Sequence, residues 1–172
     1  MAGGITLRDV AVDDLPLYEA IHCDPAMMVD LGGPLPKEGL AEKLEKDAAT
    51  TAAGEAWVLV IVPEDHPDAA AGTISIWTHE EHGDPVNEIG WMVLPPYQGR
   101  GIGKAAVRLA LDRARAEGRW GVIHAFPPVT NERSNGMCKS LGFSFIEERD
   151  FKFRNRPLRC NVWRLDLRSS AS

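Results

Sequence analysis

The stretch Tyr97-Gln98-Gly99-Arg100-Gly101-Ile102-Gly103-Lys104 constrains this chain more than any other. An apolar run, Ile89-Gly90-Trp91-Met92-Val93-Leu94, leads into it and stops at Pro95-Pro96. An amphipathic run from Lys104 to Glu117 leaves it. The stretch is therefore a turn between a strand and a helix. Three glycines at alternate positions let the backbone curl tightly and come close to a ligand. A helix starting there points unpaired N–H groups back into the curl, which makes an anion site suited to phosphate. The dinucleotide fingerprint needs a glycine where Lys104 stands. The P-loop needs a glycine at Gln98 and a Ser or Thr at Ala105. Both fail here, and Gln98-x-x-Gly101-x-Gly103 remains. A tight turn with no ligand is the plainer alternative.

The chain of 172 residues suits one domain, and with 44% hydrophobic residues it can bury a core. No apolar run has the length of a membrane span, and no signal peptide is visible at the N-terminus. Cys23, Cys138 and Cys160 are an odd number and far apart, which fits a reducing cytoplasm rather than a disulfide framework or zinc site. The net charge of −6 argues against general nucleic-acid binding. The charge is uneven. Arg100, Lys104, Arg108, Arg113, Arg115 and Arg119 face only Asp112 and Glu117, a local +4, whereas residues 1–50 carry a local −6. Such a field draws an anionic cofactor to the helix and leaves acidic surface for an amine; a solvated basic helix face is the alternative.

In chain order, Ile5 to Arg8 reads as a strand and Asp13-Asp14 as the acidic cap of a helix through Ile21, with Pro16 in its first turn. Cys23 to Pro36 reads as a loop, and Lys37 to Ala49 as a second helix. Trp57 to Val62 and Ala70 to Trp77 form a hairpin. His79 to Pro85 reads as a polar loop before a strand from Val86 to Leu94. The helix to Glu117, a strand from Trp120 to Phe126, a helix capped by Thr130 or Asn131, and strands over Phe143 to Phe153 and Arg159 to Leu167 complete the chain. The order β-α-α-β-β-β-α-β-α-β-β predicts a mixed α/β sheet.

The glycine loop resembles the pyrophosphate-binding loop of the GNAT superfamily of N-acetyltransferases, which bind acetyl-coenzyme A. Asn131-Glu132-Arg133-Ser134, followed by Leu141-Gly142-Phe143, looks like the family's second signature. Glu88-Ile89-Gly90-Trp91 resembles the subgroup that includes the ribosomal-protein N-terminal acetyltransferases. The resemblance covers essentially the whole chain, residues 1–172, as a single N-acetyltransferase domain. It implies a GNAT-like α/β fold: a mixed, mostly antiparallel sheet with a central splayed strand pair and flanking helices.

It also implies roles. An amine attacks acetyl-coenzyme A directly in a ternary complex, and the site needs a donor where the tetrahedral oxyanion develops. The family's donor is a backbone N–H at a bulge of the fourth strand, placed here at Trp91. Met92 and Val93 would pair with the pantetheine amides. Gln98, Gly99, Arg100, Gly101, Ile102, Gly103 and Lys104 would hold the pyrophosphate, with Asn131 and Ser134 also on the cofactor. Glu88 is the candidate base, although Asn87 rather than Glu88 shares strand parity with Trp91 unless the bulge shifts the register. His124 or water is the rival base. The family's thiolate-protonating Tyr is replaced by Cys138, so Ser134 is the candidate acid and Cys138 the alternative.

His79-Glu80-Glu81-His82 is one residue too short for a helical zinc motif, so no metal is expected. The acceptor, a small-molecule or peptide amine, should contact Cys23 to Pro36 and Asp150 to Arg159. Neither a nucleic acid nor a membrane is an expected partner, and the last strands offer pairing in a homodimer. Two alternatives to an acetyltransferase stand: a catalytically weak acyl-CoA-binding module of the same fold, and a nucleotide-binding enzyme using the same loop.

Overall fold

The structure, a computed structural model, describes residues 3–169. Its elements are β1 (Ile5–Asp9), α1 (Leu15–His22), α2 (Leu40–Ala52), β2 (Trp57–Pro63), β3 (Gly72–Glu81), β4 (Asp84–Val93), α3 (Ile102–Glu117), β5 (Val122–Ala125), α4 (Glu132–Ser140), β6 (Ser144–Phe153) and β7 (Arg156–Asp166). One seven-stranded sheet runs β1-β2-β3-β4-β5-β7-β6. Every neighbouring pair is antiparallel except β4–β5, which is parallel. The order of elements predicts the mixed sheet, and the family resemblance implies its mostly antiparallel pairing and flanking helices.

The buried run of β2 shows why both faces are covered. Trp57, Leu59 and Ile61 pack with Ala106, Val107 and Ala110 of α3. Val58, Val60 and Val62 pack with Leu17, Tyr18 and Ile21 of α1 and Leu44 of α2. Leu59, Val60 and Ile61 expose no surface, and each such side chain contributes about 1.5–3 kcal/mol over its exposed state. The sheet thus separates an α1–α2 side from an α3–α4 side.

Two local expectations are corrected. Asp14 is the N-cap of α1 but makes no side-chain bond to that helix. Its carboxylate instead takes both Arg8 Nη1 and Nη2, at 2.9 and 2.7 Å, and the Ala11 N–H at 2.8 Å. The stronger acceptor demand of a guanidinium fork and an exposed turn amide outcompetes the helix end. The supposed loop from His79 to Pro85 is the continuation of β3 and the start of β4, joined at His82-Gly83 with φ of 52° and 87°. Two successive positive φ values make the tight turn whose twist suits a hairpin. Charged residues there mark a solvated strand face, not a loop.

Candidate active site

The backbone of β4 divides by parity. The Leu94 N–H donates to Ala71 O at 2.8 Å. The Met92 carbonyl faces Gly72 so closely that a Cβ there would lie 2.0 Å from it. Backbone groups alternate along a strand, so Glu88, Gly90 and Met92 turn theirs to β3, and Ile89, Trp91 and Val93 turn theirs to the β5 side. Only Glu88 and His124 are in register between β4 and β5. Beyond Ala125 the chain follows β7 instead: Asn161 N–H donates to Pro127 O and Val129 N–H to Arg159 O, at 2.9 and 3.0 Å. Pro127 and Pro128, lacking N–H groups, cannot extend a ladder with β4. The strands therefore part, and the edge of Trp91 and Val93 opens onto the gap.

This geometry corrects two expectations. The β3–β4 ladder is in step from Gly72–Val93 to Glu81–Asp84, so no bulge exposes Trp91. The opening comes from the early departure of β5. Met92 turns its backbone to β3 and packs its side chain with the α1–α2 cluster, which leaves Trp91 and Val93 as the edge residues. Parity also ceases to weigh against Glu88, because the Trp91 N–H lies in the plane of the sheet and the Glu88 side chain leaves its α1–α2 face.

After Val93 a single tight turn, Pro95–Tyr97, uses the Gln98 N–H, which donates to Pro95 O at 3.2 Å. Gln98 itself is a clip: its Nε2 donates to Val93 O at 2.7 Å and its Oε1 accepts from Arg133. Gly99 and Gly101 have φ of 72° and 75°, where a side chain is strained. The first backbone bond of α3 runs from Ala105 N–H to Gly101 O, at 3.1 Å. Among the described residues, the N–H groups from Gly99 to Lys104 have no hydrogen-bond partner, and no acid sits in the first turn of α3. Gly103 serves a different purpose from its neighbours: a Cβ there would meet Met137 Cε at 3.1 Å and Val93 Cγ2 at 3.2 Å, so its smallness fits α3 against protein.

Lys104 is half-buried and Arg100 exposed, 6.0 Å from the Tyr97 ring. Other bases in and just after the helix are engaged locally. Arg113 lies over Trp57 at 4.4 Å, Arg119 over Trp120 at 4.2 Å, and Arg115 pairs with Asp112. The positive field at the loop thus rests on Arg100, Lys104 and the helix end.

Asn131 caps α4, its side chain accepting the Ser134 N–H at 3.1 Å. The Ser134 hydroxyl accepts from Trp91 Nε1 at 3.3 Å, so the second signature touches β4 directly. Cys138 exposes nothing, and burial pushes its thiol up to about 12; it is packing. Asn135, which the sequence did not single out, ties the layers together. Its Oδ1 accepts from Asn161 Nδ2 and Trp163 Nε1, at 2.8 and 2.9 Å, and its Nδ2 donates to Pro128 O at 3.0 Å.

A cavity of about 450 Å³ opens on the α1–α2 side of β4 and reaches Asn131 and Ser134. Both segments expected to meet the acceptor line it, through Met27, Met28 and Leu31 on one side and Phe153 and Arg154 on the other. Arg154 Nη1 donates to the carbonyls of Leu31 and Gly33, at 3.0 and 2.8 Å, and so ties the β6–β7 hairpin to the segment after α1. A second feature missed in the sequence lies in the wall: Tyr18 Oη and Lys43 Nζ both donate to Asp47 Oδ2, at 2.6 and 2.9 Å.

Glu88 stands in this wall with a side chain 21% exposed. Burial first, and then the charge of Glu81, pushes its carboxyl up to about 8. A carboxyl so placed can take a proton near neutral pH. His124, its backbone neighbour, is pulled down by burial and then by Arg164. Its ring stacks on Phe126 at 5.9 Å, and its Nδ1 is buried without a partner. His79 Nε2 lies 2.9 Å from Glu88 Oε2. Because β3 is extended here, His79 and Glu81 share a face and Glu80 takes the other, so His79-Glu80-Glu81-His82 is not a helical metal motif. Among the described residues, no helix is long and apolar enough to cross a membrane.

Residues 5–144 match the model of the acetyltransferase (GNAT) domain, and the chain belongs to this family of acyltransferases. Its fold is similar to that of a ribosomal-protein-S5-alanine acetyltransferase from Vibrio fischeri, at 17% identity over 95% of this chain and 93% of that one, with a TM-score of 0.79. It is similar as well to a ribosomal L7/L12 alpha-N-protein acetyltransferase solved with coenzyme A, at 15% identity over 94% and 93% of the chains, TM-score 0.77. A spermidine N-acetyltransferase chimera from Vibrio cholerae and hSSAT matches at 17% identity over 95% of both chains, TM-score 0.75.

Proposed function

We propose that this protein transfers the acetyl group of acetyl-coenzyme A to a primary amine by direct attack in a ternary complex. One observation carries the reading. The backbone edge of Trp91 and Val93, open except at the Val93 carbonyl that Gln98 holds and continued by the unpartnered N–H groups from Gly99 to Lys104, meets the Glu88 cavity at the middle of β4. The edge offers amide pairing to pantetheine, and the loop, with Arg100 and Lys104, offers donors to a pyrophosphate. The Trp91 N–H faces the gap in which the thioester carbonyl would lie, the place for an oxyanion donor. Glu88 takes a proton from the incoming ammonium. Ser134, in contact with Trp91, is the hydroxyl placed to return a proton to the departing thiolate. A coenzyme A-bound neighbour and the acylated amines named for other neighbours, a ribosomal protein and spermidine, support the reaction class.

The binding-module reading keeps one observation in its favour: the position of the family's Tyr is the buried Cys138. Calorimetry with acetyl-coenzyme A, ATP and NAD, followed by thiol release with 2-phenylethylamine, spermidine and a short peptide bearing a free N-terminus, separates the readings. Acetyl-coenzyme A alone binding, with thiol released on adding an amine, is the expected result. Binding without turnover of any amine supports the module, and binding of ATP or NAD in its place overturns both.

A further inference from the structure

His79 and Glu81 of β3 face Glu88 across the in-step ladder, in which Trp77 pairs with Glu88 and His79 with Val86. His79 Nε2 is buried and has no hydrogen-bond partner, although Glu88 Oε2 is 2.9 Å away. The carboxylate therefore approaches off the N–H axis, and a small rotation of either group closes a hydrogen bond. The other face of the imidazole packs edge-on against Phe126, at 6.3 Å. Glu81 is engaged by Arg149, which also holds Glu147. From β5 and β7, His124 and Arg164 complete the charged surroundings. The His79 side chain is 33% exposed against 21% for Glu88, so the imidazole is the step between the buried carboxyl and solvent.

We infer that His79 is a positioning residue through which Glu88 discharges to solvent the proton it takes from the acceptor ammonium. The inference rests on the acetyl-transfer reading above. An ammonium, R-NH3+, must lose two protons to become an amide. Glu88 takes the first and passes it to His79 Nε2, and the imidazole releases the proton held on Nδ1 to water. The amine lone pair forms the C–N bond as the C–S bond breaks, and the second proton goes to the thiolate sulfur. The net release is one proton per turnover, and a buried carboxyl with no exit would have to return its proton by opening the cavity.

Two measurements test this. In the first, histidine-labelled protein is followed by NMR at one fixed pH, the His79 signal being the one lost in His79→Gln. Hydrogen bonding to Glu88 predicts a ring-nitrogen chemical shift that moves in Glu88→Gln. The same chemical shift in both proteins overturns the pairing. In the second, the fastest of the three amines above is used. His79→Gln is expected to lower kcat about tenfold with the KM for acetyl-coenzyme A unchanged, and imidazole in the buffer to restore it. His79→Phe, which keeps the packing on Phe126, should lower kcat as far but leave no room for imidazole to restore it, and His82→Asn, at the exposed turn, should leave kcat at the parent's value. A kcat for His79→Gln equal to the parent's and indifferent to imidazole overturns the exit role. Turnover of none of the amines by the parent enzyme overturns the acetyl-transfer reading and the exit role with it, whereas a His79 chemical shift unmoved by Glu88→Gln overturns the pairing alone.

Discussion

The two ends of the site are built in opposite ways. The end proposed to take the acyl donor is backbone: the edge of Trp91 and Val93, two glycines with positive φ, and the unpartnered N–H groups of one turn and one helix start. It lies within a single short stretch of chain. The end proposed to take the amine is side chains gathered from α1, the segment after it, α2, β3, β4 and the β6–β7 hairpin. A constant ligand part such as a pyrophosphate can be met by backbone, whose geometry any sequence with the right glycines supplies. A particular amine must be met by side chains, which can change one at a time. The donor end should thus be brittle to conformation and the acceptor end sensitive to chemistry.

The largest effect that would sharpen this contrast is at Glu88. Glu88→Gln should lower kcat by about a hundredfold or more, within the usual range for a general base, and leave the dissociation constant of acetyl-coenzyme A unchanged. Weakened cofactor binding with kcat intact would place Glu88 at the wrong end. The same variant carries a stability prediction. Its parent carboxyl is raised from an ordinary value to about 8, so the folded state holds the proton more tightly than the unfolded one. Stability contributed by this group is present at low pH and lost as pH rises through about 8. Glu88→Gln, never charged, should therefore melt above the parent at alkaline pH and close to it at acid pH.

Next in size is Gly101→Val. A β-branched residue at φ of 75° is strained, and the loop must deform to relieve it. The acetyl-coenzyme A dissociation constant should rise about tenfold or more, with circular dichroism and melting showing a folded protein. An unchanged constant in a folded variant would remove the loop from the donor end. Arg154→Ala tests the other end by freeing the hairpin from Leu31 and Gly33. The acceptor KM should rise about fivefold while the cofactor constant stays fixed. The smallest expected effect is Ser134→Ala, about a threefold loss of kcat, because coenzyme A thiolate leaves readily and the hydroxyl is a single hydrogen-bonding group. A loss as large as that at Glu88 would make Ser134 an obligatory acid.

The same contrast explains what could be read in the sequence. The conformation of the turn at Gly99 and Gly101 was legible because glycine is the residue that records positive φ. The signature of Asn131 and Ser134 was legible because helix capping and the Trp91 contact come from one turn. The order of elements followed from periodicity, as in β2, whose alternate residues serve two cores. Four things were not legible. The opening beside Trp91 depends on Pro127 and Pro128 steering the chain to β7, a tertiary choice that local pattern does not show. Met92 was assigned the edge because which strand neighbour receives a given N–H depends on register. His79 was lost because charges flanking a tight turn look alike in a solvated strand and in a loop. The Tyr18–Asp47 bond spans two helices, and no spacing within either announces it.

The most direct test of the central claim is the pH dependence of kcat/KM for acetyl transfer, measured for the parent and for Glu88→Gln with the same amine. The parent should show a limb rising through about pH 8 as the Glu88 carboxyl loses its proton, and Glu88→Gln should keep only the ionisation of the amine itself. An identical limb in both proteins would contradict a site in which Glu88 receives the proton across β4 from the open edge of Trp91 and Val93.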